Sequence, residues 1–303
     1  MLRDAAAALI YDSQDQSGSH VGWGSIEDPT YALGASPFGF DVTSASDQIA
    51  GLRTPGATAL RHYWWQLDNR AARQHGLAAD PALIHRLNAA DVILFPAENG
   101  VSAVVTVRDD HQFGILRSAL RDLAVECDEH ATVVTDAIPE AITEDLFLWL
   151  LYRLQWQQQL SANLYLAGIQ EINSLDRSLR GARFQDEATV DRVELAALVA
   201  IGTKAFGPAK ITALATNPDA EFQFELYPDG GFQPYRRSNY ENRDFSGGQQ
   251  ALILTEDLWT IVLPELREAH SNDEEWQNGG RSALRLAARN NVLSLLGDEP
   301  PRD

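Results

Sequence analysis

Three aspartates have a spacing that suits chemistry: Asp109, Asp110 and Asp136. The first two follow a run rich in β-branched residues, 101–107 (VSAVVTV), and the third follows residues 132–135 (TVVT). Both runs read as strands, and residues 111–126 between them read as an amphipathic helix. A strand–helix–strand order with short connections predicts a βαβ unit with parallel strands. All three carboxylates then lie past the carboxyl ends of the strands, where open α/β sheets bind ligands. Carboxylates gathered there hold Mg²⁺ for phosphoryl chemistry, which gives the reading of a metal-dependent phosphoesterase with Asp109, Asp110 and Asp136 as catalytic residues. The plainer reading makes Asp109 or Asp110 a helix cap and leaves the others solvated. The segment Val107-Arg108-Asp109-Asp110-His111 has no glycine to cradle a phosphate.

A second constellation is basic: Lys204, Lys210, Arg236 and Arg237. Residues 202–217 and 232–240 contain no acidic side chain, although the chain has a net charge of −19. An anion approaches such a protein where the carboxylates are missing. Residues 190–201 read as a helix, 202–207 as a turn and 208–216 as a second helix opened by Pro208. Residues 220–227 alternate, Pro228-Asp229-Gly230-Gly231 makes a turn, and 232–235 returns as a partner strand. Helix, turn, helix and hairpin outline a winged helix-turn-helix, and the four cations become candidate DNA contacts. The plainer reading is a packing unit whose acid-free surface meets another part of the protein. Thr212-Ala213-Leu214-Ala215 offers few side chains that read base edges.

Two further groups carry less. Asp109-x-His111 and Asp128-x-His130 stand at opposite ends of one expected helix, about 20 Å apart at 1.5 Å per residue. They cannot share a metal ion, so no metal site follows from them and no cofactor is expected. Leu60-Arg61-His62-Tyr63-Trp64-Trp65 places arginine among aromatics, a composition that stacks on bases or sugars. In a helix, however, Trp64 shares a stripe with Leu60 and Leu67, which favours core packing.

The elements that must position these residues predict a mixed α+β fold, richer in helix than in strand. Residues 58–75 and 81–94 read as two amphipathic helices and form a helical N-terminal unit, 1–98, with the boundary at Glu98-Asn99-Gly100. Residues 99–186 hold the βαβ unit and a long helix, 144–160, that is apolar almost all round and therefore buried. Residues 169–183 read as a polar helix or linker. Residues 187–303 hold the helix-turn-helix and hairpin, followed by helices at 252–268 and 281–296.

Composition limits where such a protein works. The chain has 303 residues, 45% hydrophobic and 22% charged, enough apolar material for a real core. Only two of its 24 basic side chains are lysines, against 43 acidic residues. A GC-rich genome explains the lysine deficit; a salt-filled cytosol explains the acid excess as well, because carboxylates hold hydrated cations and molar salt screens their repulsion. One cysteine, Cys127, excludes an intrachain disulfide framework. No apolar run approaches the ~20 residues of a membrane helix. Residues 1–5 carry no basic region followed by a long apolar run, so a secretory leader is not expected. A cytoplasmic protein is expected. It acts by macromolecular contact with DNA or a protein, with the phosphoesterase as the alternative.

Residues 101–153 and 194–244 resemble a family of halophilic archaeal proteins with no assigned activity. The resemblance rests on Thr135-Asp136-Ala137-Ile138-Pro139-Glu140, Phe147-Leu148-Trp149-Leu150-Leu151-Tyr152-Arg153 and Phe206-Gly207-Pro208-Ala209-Lys210-Ile211. Residues 52–65 (LRTPGATALRHYWW) also resemble a stretch of uncharacterised prokaryotic proteins associated with restriction and phage defence. Neither resemblance implies catalytic residues.

The acidity generates a prediction. The Debye length falls from about 30 Å at 0.01 M salt to about 3 Å at 1 M, so surface carboxylates repel one another only in dilute salt. The melting temperature is expected to rise steeply from low salt to molar KCl. A calorimetric series in which it stays constant would remove the salt-adaptation reading.

Overall fold

Residues 58–67, expected at the start of a helix, form a strand. The computed structural model describes residues 10–11, 21–24, 52–79, 81–98, 100–107, 109–135, 142–175, 181–185, 189, 191–202, 205–235, 237–241 and 247–297. Among these the chain forms two compact units. The first comprises residues 1–137 and 245–253, the second residues 138–244 and 254–303. Helices and antiparallel sheets both occur, so the mixed α+β class holds.

The first unit contains strands β1 (Ile10–Tyr11), β2 (Val21–Gly24), β3 (Thr58–Leu67), β4 (His85–Ala97) and β5 (Gly100–Val105), hydrogen-bonded in sequence order. Two helices interrupt β3 and β4: α1 (Asn69–His75) and the single turn α2 (Pro81–Ile84). The Asp68 side chain accepts hydrogen bonds from the backbone N–H groups of Arg70 and Ala71 and caps α1. The two helices expected at 58–75 and 81–94 are therefore mainly β3 and β4, and the unit is not helical. The physical cause is burial on both faces. Leu60, His62, Trp64, Ala90, Val92 and Leu94 face one way; Ala59, Arg61, Tyr63, Asp91, Ile93 and Phe95 face the other, and most of both sets are buried. A strand covered on both sides loses the alternation that marks a strand in sequence. What remains, a leucine or tryptophan every three to four residues, imitates a helix.

Helix α3 (Asp110–Cys127) covers the first of these faces. Its Leu116, Ala119, Leu120 and Leu123 pack with Trp23, Trp64, Ala90, Val92 and Leu94. The helix expected at 111–126 is thus present, and so is the strand before it. The βαβ unit is not, because residues 132–135 form no strand and β5 pairs antiparallel with β4. The position read as a domain boundary lies at the tight β4–β5 turn, where Ala97 pairs with Gly100.

The second unit begins with α4 (Glu144–Trp156) and continues through β6 (Leu164–Leu175), β7 (Gly181–Gln185), α5 (Val193–Ile201), β8 (Ala205–Thr216), β9 (Asp219–Leu226), β10 (Phe232–Pro234) and β11 (Asn239–Tyr240). The strand order is β10-β9-β8-β6-β7, with β11 pairing on β9 beside β10, and every pair is antiparallel. Residues 208–216, expected as the second helix of a helix-turn-helix, lie in the central strand β8. Ala209, Ile211, Ala213 and Ala215 point to the core, while Lys210, Thr212, Leu214 and Thr216 point away. Small alanines on the buried side gave the segment its helical look. The linker expected at 169–183 falls largely in β6 and β7. The alternating strand at 219–226 and its return at 232–234 form as expected.

Helix α6 (Gly247–Asp257) begins in the residues of the first unit and ends in those of the second, which closes with a π-helical turn (Leu258–Val262), α7 (Leu263–Ser271), a kinked turn (Trp276–Gly280) and α8 (Arg281–Gly297). Helix α4 packs on β6 and β8, and α5 packs on α8. A Cβ at Gly207, which has φ +103°, would stand 2.7 Å from the Phe147 ring of α4, so glycine sets how closely α4 and β8 approach. No helix among the described residues is long and apolar enough to cross a membrane.

One buried group makes the first unit sensitive to acid. His62 lies between Trp23 and Trp64, with ring centroids 5.0 and 5.9 Å away. Burial lowers its pKa from 6.5 to about 4. The neutral ring fits the fold, whereas the unfolded chain takes up the proton near pH 6.5. His62 therefore favours folding fully above pH 6.5 and loses that contribution as pH falls towards 4. The difference is worth about 3 kcal/mol at 1.36 kcal/mol per pH unit. Urea unfolding of His62→Phe is expected to show a shallower loss of stability between pH 6.5 and 4.5 than wild type. Identical slopes would contradict this account.

Candidate functional site

The register of the second sheet arranges its outward side chains in rows. Glu171 of β6 stands opposite Gln185 of β7 and Lys210 of β8; Lys210 stands opposite Glu225 of β9, and Glu225 opposite Gln233 of β10. A second row holds Gly168, Thr212 and Gln223, and a third holds Tyr165, Leu214, Glu221 and Asn239. These rows exist because each strand alternates, so that one face packs in the core and the other takes polar residues.

The first row is a ladder of alternating charge. Arg183 Nε lies 2.6 Å and Lys210 Nζ 3.0 Å from the Glu171 carboxylate. Glu171 is only 7% exposed, while Arg183 is 57% exposed. Burial pushes the Glu171 carboxyl up, but hydrogen bonds from Arg183 and Lys210, reinforced by their charges, outweigh it and hold it below the usual range. Lys210 also stands over the Tyr235 ring, 5.7 Å from its centroid. The hydroxyls of Tyr235 and Tyr227 both donate to Glu225, at 2.9 and 3.0 Å. Burial raises the Tyr235 pKa, and the hydrogen bond to the charged Glu225 raises it further, so the phenol stays protonated.

Beyond the third row the face opens into a groove of about 370 Å³. Tyr165 and Leu214 form its apolar part, and Asp219, Glu221 and Glu241 its acidic part. Its described lining contains no lysine or arginine. Leu214 is 41% exposed, a large apolar side chain in the middle of a polar face. Such an arrangement suits a cationic side chain carried beside an apolar one.

A separate polar cluster sits among the helices of the same unit. Asp145, Trp149 and Arg153 lie four residues apart along one stripe of α4. Asp145 accepts hydrogen bonds from Trp276 Nε1 at 2.8 Å and Arg281 at 2.8 Å, and pairs with His270 Nε2 at 3.0 Å. Asp273 accepts from Trp149 Nε1 at 2.5 Å, Arg153 Nε at 2.7 Å and the Trp276 backbone N–H at 3.0 Å. Burial pushes both carboxyls up, and the hydrogen bonds overcome it and hold both below their ordinary range. The Asp145–His270 pair resembles a general-base dyad, but its oxygens are already committed to an indole and a guanidinium. The cluster fastens α4 to α7 and α8.

The sequence-predicted residues scatter. Asp109 caps α3, its Oδ1 accepting the Gln112 N–H at 3.0 Å, and Asp110 is the exposed first residue of that helix. Asp136, Lys204 and Arg236 lie outside the described residues. Lys210 is in the charge ladder, and Arg237 is exposed at the turn before β11. Among the described residues, no three His, Cys, Asp or Glu side chains come together as metal ligands. Sequence reasoning missed Glu171, Glu225 and the groove. The one available signal was the alternation of Glu221, Gln223 and Glu225, because their partners in β6 and β8 were read as linker and helix. No protein-family model matches the sequence, and no curated protein matches it.

The ladder generates a test. A carboxylate with a lowered folded-state pKa stabilises the fold above its unfolded value, about 4.3 for Glu, and that contribution disappears as pH falls through the lower folded value. Glu171→Gln leaves Lys210 and Arg183 without their shared counter-charge. It is expected to cost about 1–2 kcal/mol at pH 7, discounted for the exposure of Arg183, and almost nothing near pH 2. Chemical denaturation at the two pH values measures this, and an equal cost at both would mean that the charge is immaterial.

Proposed function

We propose that this is a non-enzymatic cytoplasmic protein that acts by contact with another macromolecule, and that the partner is a protein presenting a basic segment. The observation that carries the reading is the open face of the second sheet. Its groove pairs the exposed Leu214 and the half-buried Tyr165 with Asp219, Glu221 and Glu241. Tyrosine with a few apolar anchors is characteristic of protein interfaces, and charge complementarity selects the partner and speeds encounter.

DNA is less well supported as the partner. Lys210 is ion-paired with Glu171 and stands opposite Glu225 in the ladder, so carboxylates already match its charge. Residues 208–216 are a strand, so the helix that would enter a groove is missing from that position. The phosphoesterase alternative is supported less again, because Asp109 is occupied as a helix cap.

Fluorescence anisotropy at moderate KCl, with folding checked by circular dichroism, tests the reading. The probes are a short Arg/Lys-rich peptide containing tyrosine, an acidic control peptide and a short DNA duplex. Wild type is expected to bind the basic peptide, and Glu221→Lys/Glu241→Lys to bind it at least tenfold more weakly. Duplex binding that Lys210→Glu abolishes would transfer the assignment to DNA. Silence with all three probes would end the reading.

A further inference from the structure

A β-sheet edge exposes unpaired N–H and C=O groups, and proteins ordinarily blunt it with charge, proline, irregularity or short length. Three of the described edges follow that rule. Strand β7 carries the exposed Arg183, β10 ends at Pro234 and is separated from β11 by a break, and β1 is two residues long. Strand β5 does none of these. It is Gly-Val-Ser-Ala-Val-Val, without charge or proline; Val101 is 52% exposed and Ala103 is exposed, and among the described residues nothing pairs with its outer side.

We propose that β5 pairs antiparallel with β5 of a second copy of this chain, about a two-fold axis at Ala103, to give a sheet continuous across a homodimer. Backbone parity supplies the register. The Thr106 N–H donates to the Asp91 carbonyl, so Thr106, Val104 and Ser102 direct their backbone groups towards β4. Val101, Ala103 and Val105 direct theirs outward. Antiparallel pairing about Ala103 sets Ala103 against the partner's Ala103 and Val101 against the partner's Val105. All three outward residues on each copy then exchange hydrogen bonds.

Charge favours a second copy as the occupant. Two chains of −19 repel one another, and their contact is least costly where neither carries charge. Residues 100–107 contain none. A single strand junction is smaller than a standard interface, so the dimer depends on screening: it forms in molar salt and separates as the Debye length grows. The proposal lies in the other unit from the groove and stands or falls separately from the reading of that groove.

Sedimentation velocity of the full chain across a KCl series tests it. Wild type is expected at twice the protomer mass in about 2 M KCl and to shift towards the protomer as salt falls towards about 0.3 M. Ala103→Pro removes an outward N–H that the β4–β5 ladder does not use, and Val101→Lys places charge on the edge. Both variants are expected to sediment as protomers in high salt, with wild-type circular dichroism. As a positional readout, Ala103→Cys in a Cys127→Ser background is expected to cross-link on mild oxidation. The two Cα atoms would be about 5.5 Å apart, inside the roughly 4.4–6.8 Å that a disulfide spans. A wild-type protomer at every salt concentration overturns the proposal. So does a dimer that persists in Val101→Lys and in folded Ala103→Pro.

Discussion

The second unit depends on one helix that is too apolar to face water and too polar along one stripe to be buried without partners. Helix α4 buries every residue from Leu146 to Tyr152. Asp145, the Trp149 indole and Arg153 recur every four residues on one side of it. Left unmatched, a buried indole N–H or charge costs at least the desolvation of that group. The matching groups come from residues 270–281, more than a hundred positions later: His270, Asp273, Trp276 and Arg281. Asp273 alone receives an indole, a guanidinium and a backbone N–H. The stripe therefore fixes where the C-terminal helices lie along α4. The opposite side of α4 rests on β6 and β8, with Gly207 permitting the approach of Phe147. Helices thus cover one face of the sheet and leave the other to polar rows.

That uncovered face explains how an acidic chain distributes its few cations. Lys210 and Arg183 are not displayed as a basic patch; they neutralise the buried Glu171. A carboxylate as sheltered as Glu171 needs an adjacent cation to remain charged, while exposed carboxylates such as Asp219 or Glu241 are served by water and salt. Absence of acid along a stretch of sequence is therefore not absence of acid around it in space. The acids that balance 202–217 come from strands β6 and β9, which flank β8 in space.

Legibility in the sequence followed the number of faces that each element buries. Helix α3, with one apolar stripe, was readable to within a residue at each end, and so were β9 and its hairpin partner, which alternate cleanly. Helix α4 was readable from its continuous apolar run. Strands β3 and β4 were not, because both faces are buried and Leu60, Trp64 and Leu67 then fall at helical spacing by coincidence. Strand β8 failed for a related reason: alanine on its core side is as much a helix former as a filler beneath Phe222 and Phe224. Once β8 and β6 were misread, the charge ladder was invisible, since Glu171, Lys210 and Glu225 are neighbours only through strand pairing. The polar cluster on α4 was equally hidden, its members being separated by more than a hundred residues.

A sheet buried on both faces also faces a problem of register. In an ordinary sheet, slipping a strand by one residue turns its apolar side to water, and that cost selects the correct pairing. Strand β4 is buried from Ala90 to Phe95 without interruption, so a slip against β3 exchanges one apolar contact for another. Arg61 and Asp91 remove the ambiguity. They are directly paired across β3 and β4, each only 1% exposed, with Arg61 Nε 2.6 Å from the Asp91 carboxylate. Burial raises the Asp91 carboxyl above its ordinary range against the opposing guanidinium, and arginine keeps its proton. A one-residue slip would leave two charges buried apart, a loss of the order of 3–5 kcal/mol for a broken pair. Against a hydrophobic pair of the same volume the ion pair adds little stability. Its contribution lies in making one register of an otherwise featureless apolar strand far better than its neighbours.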